Sequence, residues 1–176
     1  MSNLRFIKEV SATSGVHSLE VTDVFTDDFD IYQITSSNLF GDSTTASALN
    51  LRFINSSGSI LSTDYDYAQL GMKGEASFVD NRSTTPTRIW NLFGGIDDNP
   101  ESQGSSCYVF NPTNSSSYTF VVYQSANHPS GNLRSYKGIG VLHQQSKITG
   151  FQAEINESAV DFDAGGSIKV FGLRVD

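Results

Sequence analysis

The chain of 176 residues carries 19 acidic against 11 basic side chains, a net charge of −8, and is 38% hydrophobic and 11% aromatic. Twelve Phe and seven Tyr are too many for a disordered chain, and the few, scattered Lys and Arg exclude a nucleic-acid binder that must neutralise phosphates. The length predicts one domain over residues 1–176, able to bury a core without metal or disulfide.

In chain order, Leu4 to Val10 reads as a first short strand or an attachment arm, and Leu19 to Val21 as a second. MSNLRFIKEV lacks the apolar centre of a signal peptide, which predicts synthesis and folding in a cytoplasm. FDIYQIT (29–35) reads as a strand with both faces partly covered, and Ser36 to Ser47 as a polar loop around Gly41. Leu49, Leu51 and Phe53 alternate with Asn50 and Arg52, the clearest period-two signal. Asn55-Ser56-Ser57-Gly58 then supplies a turn before a returning strand at Ile60-Leu61. Asp64 to Ala68 fits a strand end or one helical turn. Residues 71–105 read as a loop-rich excursion with one or two strands.

The second half is more regular. Cys107 to Phe110 and Tyr118 to Tyr123 flank a turn signal with Pro112 and Asn114, and Tyr118, Phe120 and Val122 are expected to face the core with Leu49, Leu51 and Phe53. Ile139 and Val141 alternate with glycines, and Phe151, Ala153 and Ile155 with Gln152 and Glu154. After Gly165-Gly166, the run Ile168, Val170, Phe171, Leu173, Val175 reads as a strand buried on both faces, which must pair before the fold is complete. No helical periodicity persists through three turns, and no apolar window approaches the about 20 residues of a membrane span. The expectation is an all-β, two-sheet, jelly-roll-like sandwich of eight to ten short strands, without membrane insertion.

Motifs for chemistry are missing. The acidic group Asp23, Asp27, Asp28 and Asp30 lacks calcium-loop spacing, and so does the group Asp97, Asp98 and Glu101. His17, His128 and His143 lack zinc spacing, and neither a nucleophile elbow nor a phosphate or dinucleotide loop occurs. No catalytic, cofactor or metal residue is therefore assigned, and the lone Cys107, inside an apolar run, is expected to be a buried thiol. Trp90 with Tyr65, Tyr67 and Phe93 offers an aromatic platform for sugar if exposed. Ile89, Trp90, Leu92 and Phe93 form a candidate interface, since they put much apolar surface among loop residues.

Three stretches, FDAGGSIKVFGLRV (162–175), VTDVFTDDFDIYQIT (21–35) and SYKGIGVLHQQSKITGFQ (135–152), resemble small β-sandwich virion structural proteins of tailed phages, especially phages of marine cyanobacteria. The likeness rests on apolar and glycine placement, including Phe29, Tyr32, Leu51, Phe53, Tyr65, Tyr118, Gly138, Gly166 and Gly172. It implies a non-enzymatic virion protein made in the host cytoplasm and attached to the exterior of the capsid or tail, as a decoration or appendage subunit. Its expected partners are other virion proteins and further copies of itself, with a homotrimer implied. A carbohydrate-binding module or the receptor-binding tip of a tail fibre is the alternative, with a carbohydrate receptor as partner.

Overall fold

A computed structural model describes residues 3–75, 77–100 and 103–174. Those residues form twelve strands and one 3-10 turn at Pro129–Gly131, more strands than the eight to ten expected. In order they are β1 (Leu4–Ser11), β2 (Ser18–Val21), β3 (Ile31–Ser37), β4 (Ser47–Asn55), β5 (Tyr65–Lys73) and β6 (Ser77–Ser83), then β7 (Ile89–Ile96), β8 (Gln103–Phe110), β9 (Thr119–Asn127), β10 (Arg134–Leu142), β11 (Ile148–Ile155) and β12 (Ser167–Leu173). No helix among the described residues is long and apolar enough to cross a membrane.

The large sheet has the order β1-β12-β3-β8-β9-β10-β5-β6 and the small sheet β2-β11-β4-β7. Setting aside the hairpins β5–β6 and β9–β10 leaves β1-β12-β3-β8 over β2-β11-β4-β7. In that order the chain's outermost strands pair first and its innermost last, with successive strands alternating between sheets except at the innermost pair, β4 and β7, which are neighbours in the small sheet. This is the connectivity of a jelly roll. Both hairpins then extend the same side of the large sheet, beyond β8.

Leu49, Leu51 and Phe53 are fully buried, as their alternation required, and face Phe151, Ala153 and Ile155 of β11 in the same core. Phe151 lies between Phe25 and Phe93, with ring centroids 6.0 and 6.3 Å away. Each such fully buried ring contributes roughly 1.5–3 kcal/mol through removal from water.

The terminal strand pairs on both sides, with β1 and β3. Only one of its faces enters the core, however. Ile168 and Val170 are buried, whereas Phe171 is half-buried on the outer face with its ring 5.8 Å from that of Phe6. An apolar run without a polar break hides the fact that its two faces meet different surroundings. Before this strand, Gly166 has φ +75°, and an added Cβ would run into the Asn38 carbonyl.

Two further expectations are corrected. In β9 the inward residues are Thr119, Val121 and Tyr123, while Tyr118, Phe120 and Val122 are exposed. A slip of one residue exchanges the two faces of a strand, and here both faces are apolar, so alternation does not choose between them. The stretch 71–105 is mostly strand: the end of β5, all of β6 and β7, and the start of β8. Its loop-like appearance comes from a wide bulge in β7. Leu49 pairs with Gly94 and Leu51 with Ile89, so β7 holds extra residues between the two pairs, with Asn91 at φ 52° and Gly94 at φ 92°. The Asn91 N–H donates to buried Asn50 Oδ1 at 3.0 Å, which closes the bulge.

Candidate functional site on the outer face of the large sheet

Strand register across the large sheet lines up outward-facing residues from seven strands. One row runs Phe6, Phe171, Gln33, Tyr108, Val122, Ile139, Ala68. The adjacent row, two residues along each strand, runs Leu4, Leu173, Ile31, Phe110, Phe120, Val141, Asp66. Only Gln33 and Asp66 interrupt an apolar band that crosses the sheet. Phe6 is 55% exposed and Ile139 59%, and Leu4, Tyr108, Phe120 and Val122 are exposed with them.

Toward β5 and β6 the band sinks into a trough of about 630 Å³, lined by Phe120, Val122, Ile139, Val141 and Ala68, with Asp66, Arg82 and Thr84 at its flank. The small Ala68 makes the depression possible between larger neighbours. His143 Nε2 lies 3.6 Å from the Asp66 carboxylate at the same end.

The interface expected at Ile89, Trp90, Leu92 and Phe93 is not available. Ile89, Leu92 and Phe93 are fully buried in the chain's own core, because the β7 bulge turns Leu92 and Phe93 inward. Trp90 is half-buried. With half-buried Tyr67 it borders a recess of about 340 Å³ that also meets Pro86, Arg88 and Asn156. Tyr65 and Phe93, the other expected members of an aromatic platform, lie in the core. Beside the recess, Glu154 pairs with Arg88 at 2.9 Å and Arg52 at 3.3 Å, and burial holds the Arg88 guanidinium below its ordinary range.

No protein-family model matches this chain, and no curated protein matches it either. The reading of the site rests on its geometry.

That geometry separates the ionisable groups. Asp27 bonds Lys147 at 2.8 Å, and this hydrogen bond holds its carboxyl below the usual range, while Asp28 accepts from the Thr26 hydroxyl at 3.0 Å. Asp97 is buried and accepts backbone N–H groups of Ser130 and Asn99. His17 lies 3.9 Å from Asp161 and His143 3.6 Å from Asp66, each histidine with a carboxylate of its own. Among the described residues no three His, Cys, Asp or Glu side chains gather as a metal would require. Cys107 is buried, and desolvation pushes its thiol up to about 12. A thiol in that state is not a nucleophile at neutral pH. The broad, weakly charged face is an arrangement suited to contact with another surface.

Sequence reasoning missed the band because it assigned Phe120 and Val122 to the core. A usable signal was present in β10, where Gly138 and Gly140 alternate with Ile139 and Val141. Gly138 stands opposite Tyr123, and an added Cβ would come within 2.6 Å of the Tyr123 hydroxyl. The glycines therefore mark the face over which Tyr123 lies, and leave Ile139 and Val141 on the other.

Proposed function

We propose that this chain is a non-enzymatic structural protein of a tailed-phage virion, a jelly-roll subunit docked on the exterior of the capsid or tail. The apolar band across the large sheet carries the reading. A soluble chain with net charge −8 that keeps Phe6, Tyr108, Phe120, Val122 and Ile139 exposed on one face has a surface suited to assembly. The resemblance of residues 21–35, 135–152 and 162–175 to virion β-sandwich proteins supplies the setting. Such a subunit works by shape complementarity and repetition, through contacts with other virion proteins. The expected result is that the protein co-sediments with purified particles through a density gradient and is labelled by antibody on the particle exterior. Recovery only in the particle-free fraction of a lysate would refute it.

A second reading, a carbohydrate-binding module or receptor-binding tip, draws support from the recess beside Trp90 and Tyr67. One half-buried indole next to a polar rim is a platform on which a sugar ring stacks. Quenching or shift of the fluorescence of Trp90, the sole tryptophan, on titration with host surface glycans is the test. An unchanged spectrum would remove this reading.

A further inference from the structure

We infer that the apolar band is the seat of a second copy of this chain, packed face to face. This deepens the structural role proposed above and shares its reliance on the outer face. Three observations select a second copy.

The first is charge. The strand positions on this face carry Glu9, Asp66 and Asp80 against Lys137, Lys169 and Arg82, three acidic and three basic, so the face sums to zero. The net charge of −8 therefore lies entirely elsewhere. A chain of net charge −8 repels its own copies over much of its surface, and this face adds no net repulsion of its own.

The second is area. Seven strands about 4.8 Å apart span about 29 Å, and the two apolar rows together with the two more polar rows beside them, which include Thr35, Ser106, Gln124 and Lys137, span about 20 Å at about 7 Å per row. The product, roughly 600 Å² before side-chain relief, approaches the about 800 Å² per partner of a standard interface. Tyr108, Phe110, Phe120 and Val122 on the central strands β8 and β9, with Glu9, Lys169, Lys137, Asp66, Asp80 and Arg82 around them, resemble an interface core with a polar rim.

The third is relief. The projecting ring of Phe6, backed by Phe171, lies three strands from β8 at the β1 end, and the trough over Ile139 and Ala68 lies two to three strands beyond β8 at the other. β1 and β5 are equidistant from β8 in the sheet order. A two-fold axis along β8 therefore places the Phe6 ridge of each copy over the trough of its partner. A patch that meets itself in this way closes as a dimer, whereas a ring of three needs two different patches.

The experiment is sedimentation velocity on the full chain over a concentration series, with the variants Val122→Glu and Ile139→Glu. The expected result is a dimer of twice 19.1 kDa, and a dissociation midpoint raised at least about 100-fold by either Glu, because a buried unpaired charge opposes contact. Both positions are exposed in the single chain, so circular dichroism of the variants is expected to match the parent. Should either variant misfold, Phe6→Ser and Val122→Thr weaken the same contact without adding charge. A parent that stays monomeric at about 100 μM, a hundredfold above a micromolar midpoint, overturns the inference. A trimer, or a dimer indifferent to all four substitutions, overturns it too. A monomer that still co-sediments with particles would sink this inference and leave the virion reading standing, and a dimer absent from particles would do the reverse.

Discussion

Tyr65→Phe isolates one buried hydroxyl. β4 runs past the end of β7, whose last pair on this side is Leu51 with Ile89, so Phe53 finds no strand partner there. The Tyr65 hydroxyl fills the gap, accepting the Phe53 N–H at 2.8 Å and donating to the Leu61 carbonyl at 3.3 Å. Tyr65 and Phe53 are both fully buried, with their rings stacked 6.3 Å apart. Phenylalanine keeps the ring and opens almost no cavity, so the cost is that of the stranded N–H, about 1–3 kcal/mol. The longer bond to the half-buried Leu61 carbonyl adds little, because water reaches that group. About 2 kcal/mol is expected, or a Tm lowered by about 4–8 °C for a chain of this size, with an unchanged urea m-value. Tyr67→Phe is the control: its hydroxyl donates to Asn81 Oδ1 at 3.3 Å from a half-exposed position, and its loss is expected to cost under about 0.5 kcal/mol. Hydrogen exchange at the Phe53 amide provides a second readout, expected to quicken in Tyr65→Phe alone. A cost below about 0.5 kcal/mol with unchanged Phe53 protection would refute the reasoning.

Three further outcomes follow from the register and burial. Val121→Asp is expected to abolish folding and Val122→Asp, in dilute solution, to leave a folded chain, since only Val121 faces the core; equal damage in both circular dichroism spectra would mean the β9 register is wrong. Phe171→Ala is expected to cost about 1–2 kcal/mol in urea unfolding, less than the about 3–5 kcal/mol of a fully buried Phe, and a loss in that larger range would put its ring in the core. Burial raises the ionisation of Tyr65 and Tyr123 well above the ordinary phenol value of 10.0. The unfolded chain releases those protons first, so stability is complete below about pH 10 and declines above it. In ultraviolet titration these two phenols are therefore expected to ionise together with alkaline unfolding, and their ionisation in a chain with native circular dichroism would contradict the burial argument.

The sandwich was legible because its central strands alternate cleanly. Leu49-Leu51-Phe53 and Phe151-Ala153-Ile155 show one apolar face each, and glycines bound the last strand. Alternation carries no information where both faces are apolar, as in β9 and β12, and both of those strands contribute to the outer band. The β7 segment hid itself differently. A local sequence with Asn91, Gly94 and Gly95 resembles a loop, and only the long-range bond from Asn91 to Asn50 turns it into a bulged strand. The interface expected at Ile89, Trp90, Leu92 and Phe93 lost all but half-buried Trp90 for the same reason, since apolar residues in a supposed loop were the inward face of a strand. What sequence alone did not supply was which strands lie side by side, and the band exists only across strands.

The two inserted hairpins explain why this face is broad. A jelly roll of β1-β12-β3-β8 alone would span about 14 Å across its strands, and the added β9-β10-β5-β6 bring the sheet to about 34 Å. The small sheet has no matching extension, so the inner side of the added strands needs cover of another kind. It is obtained by packing β10 and β5 against β7. Close approach to β7 requires glycine at Gly140, where a Cβ would come within 2.9 Å of Ile89, and the inward-lying Tyr123 ring requires it at Gly138, where a Cβ would come within 2.6 Å of the ring. Residues alternate faces along a strand, so Gly138 and Gly140 inside necessarily leave Ile139 and Val141 outside. The core places no demand on either side chain. Strand propensity alone favours β-branched residues at these positions, and the contact proposed above is a reason for them to stand beside Phe120 and Val122 on one exposed face.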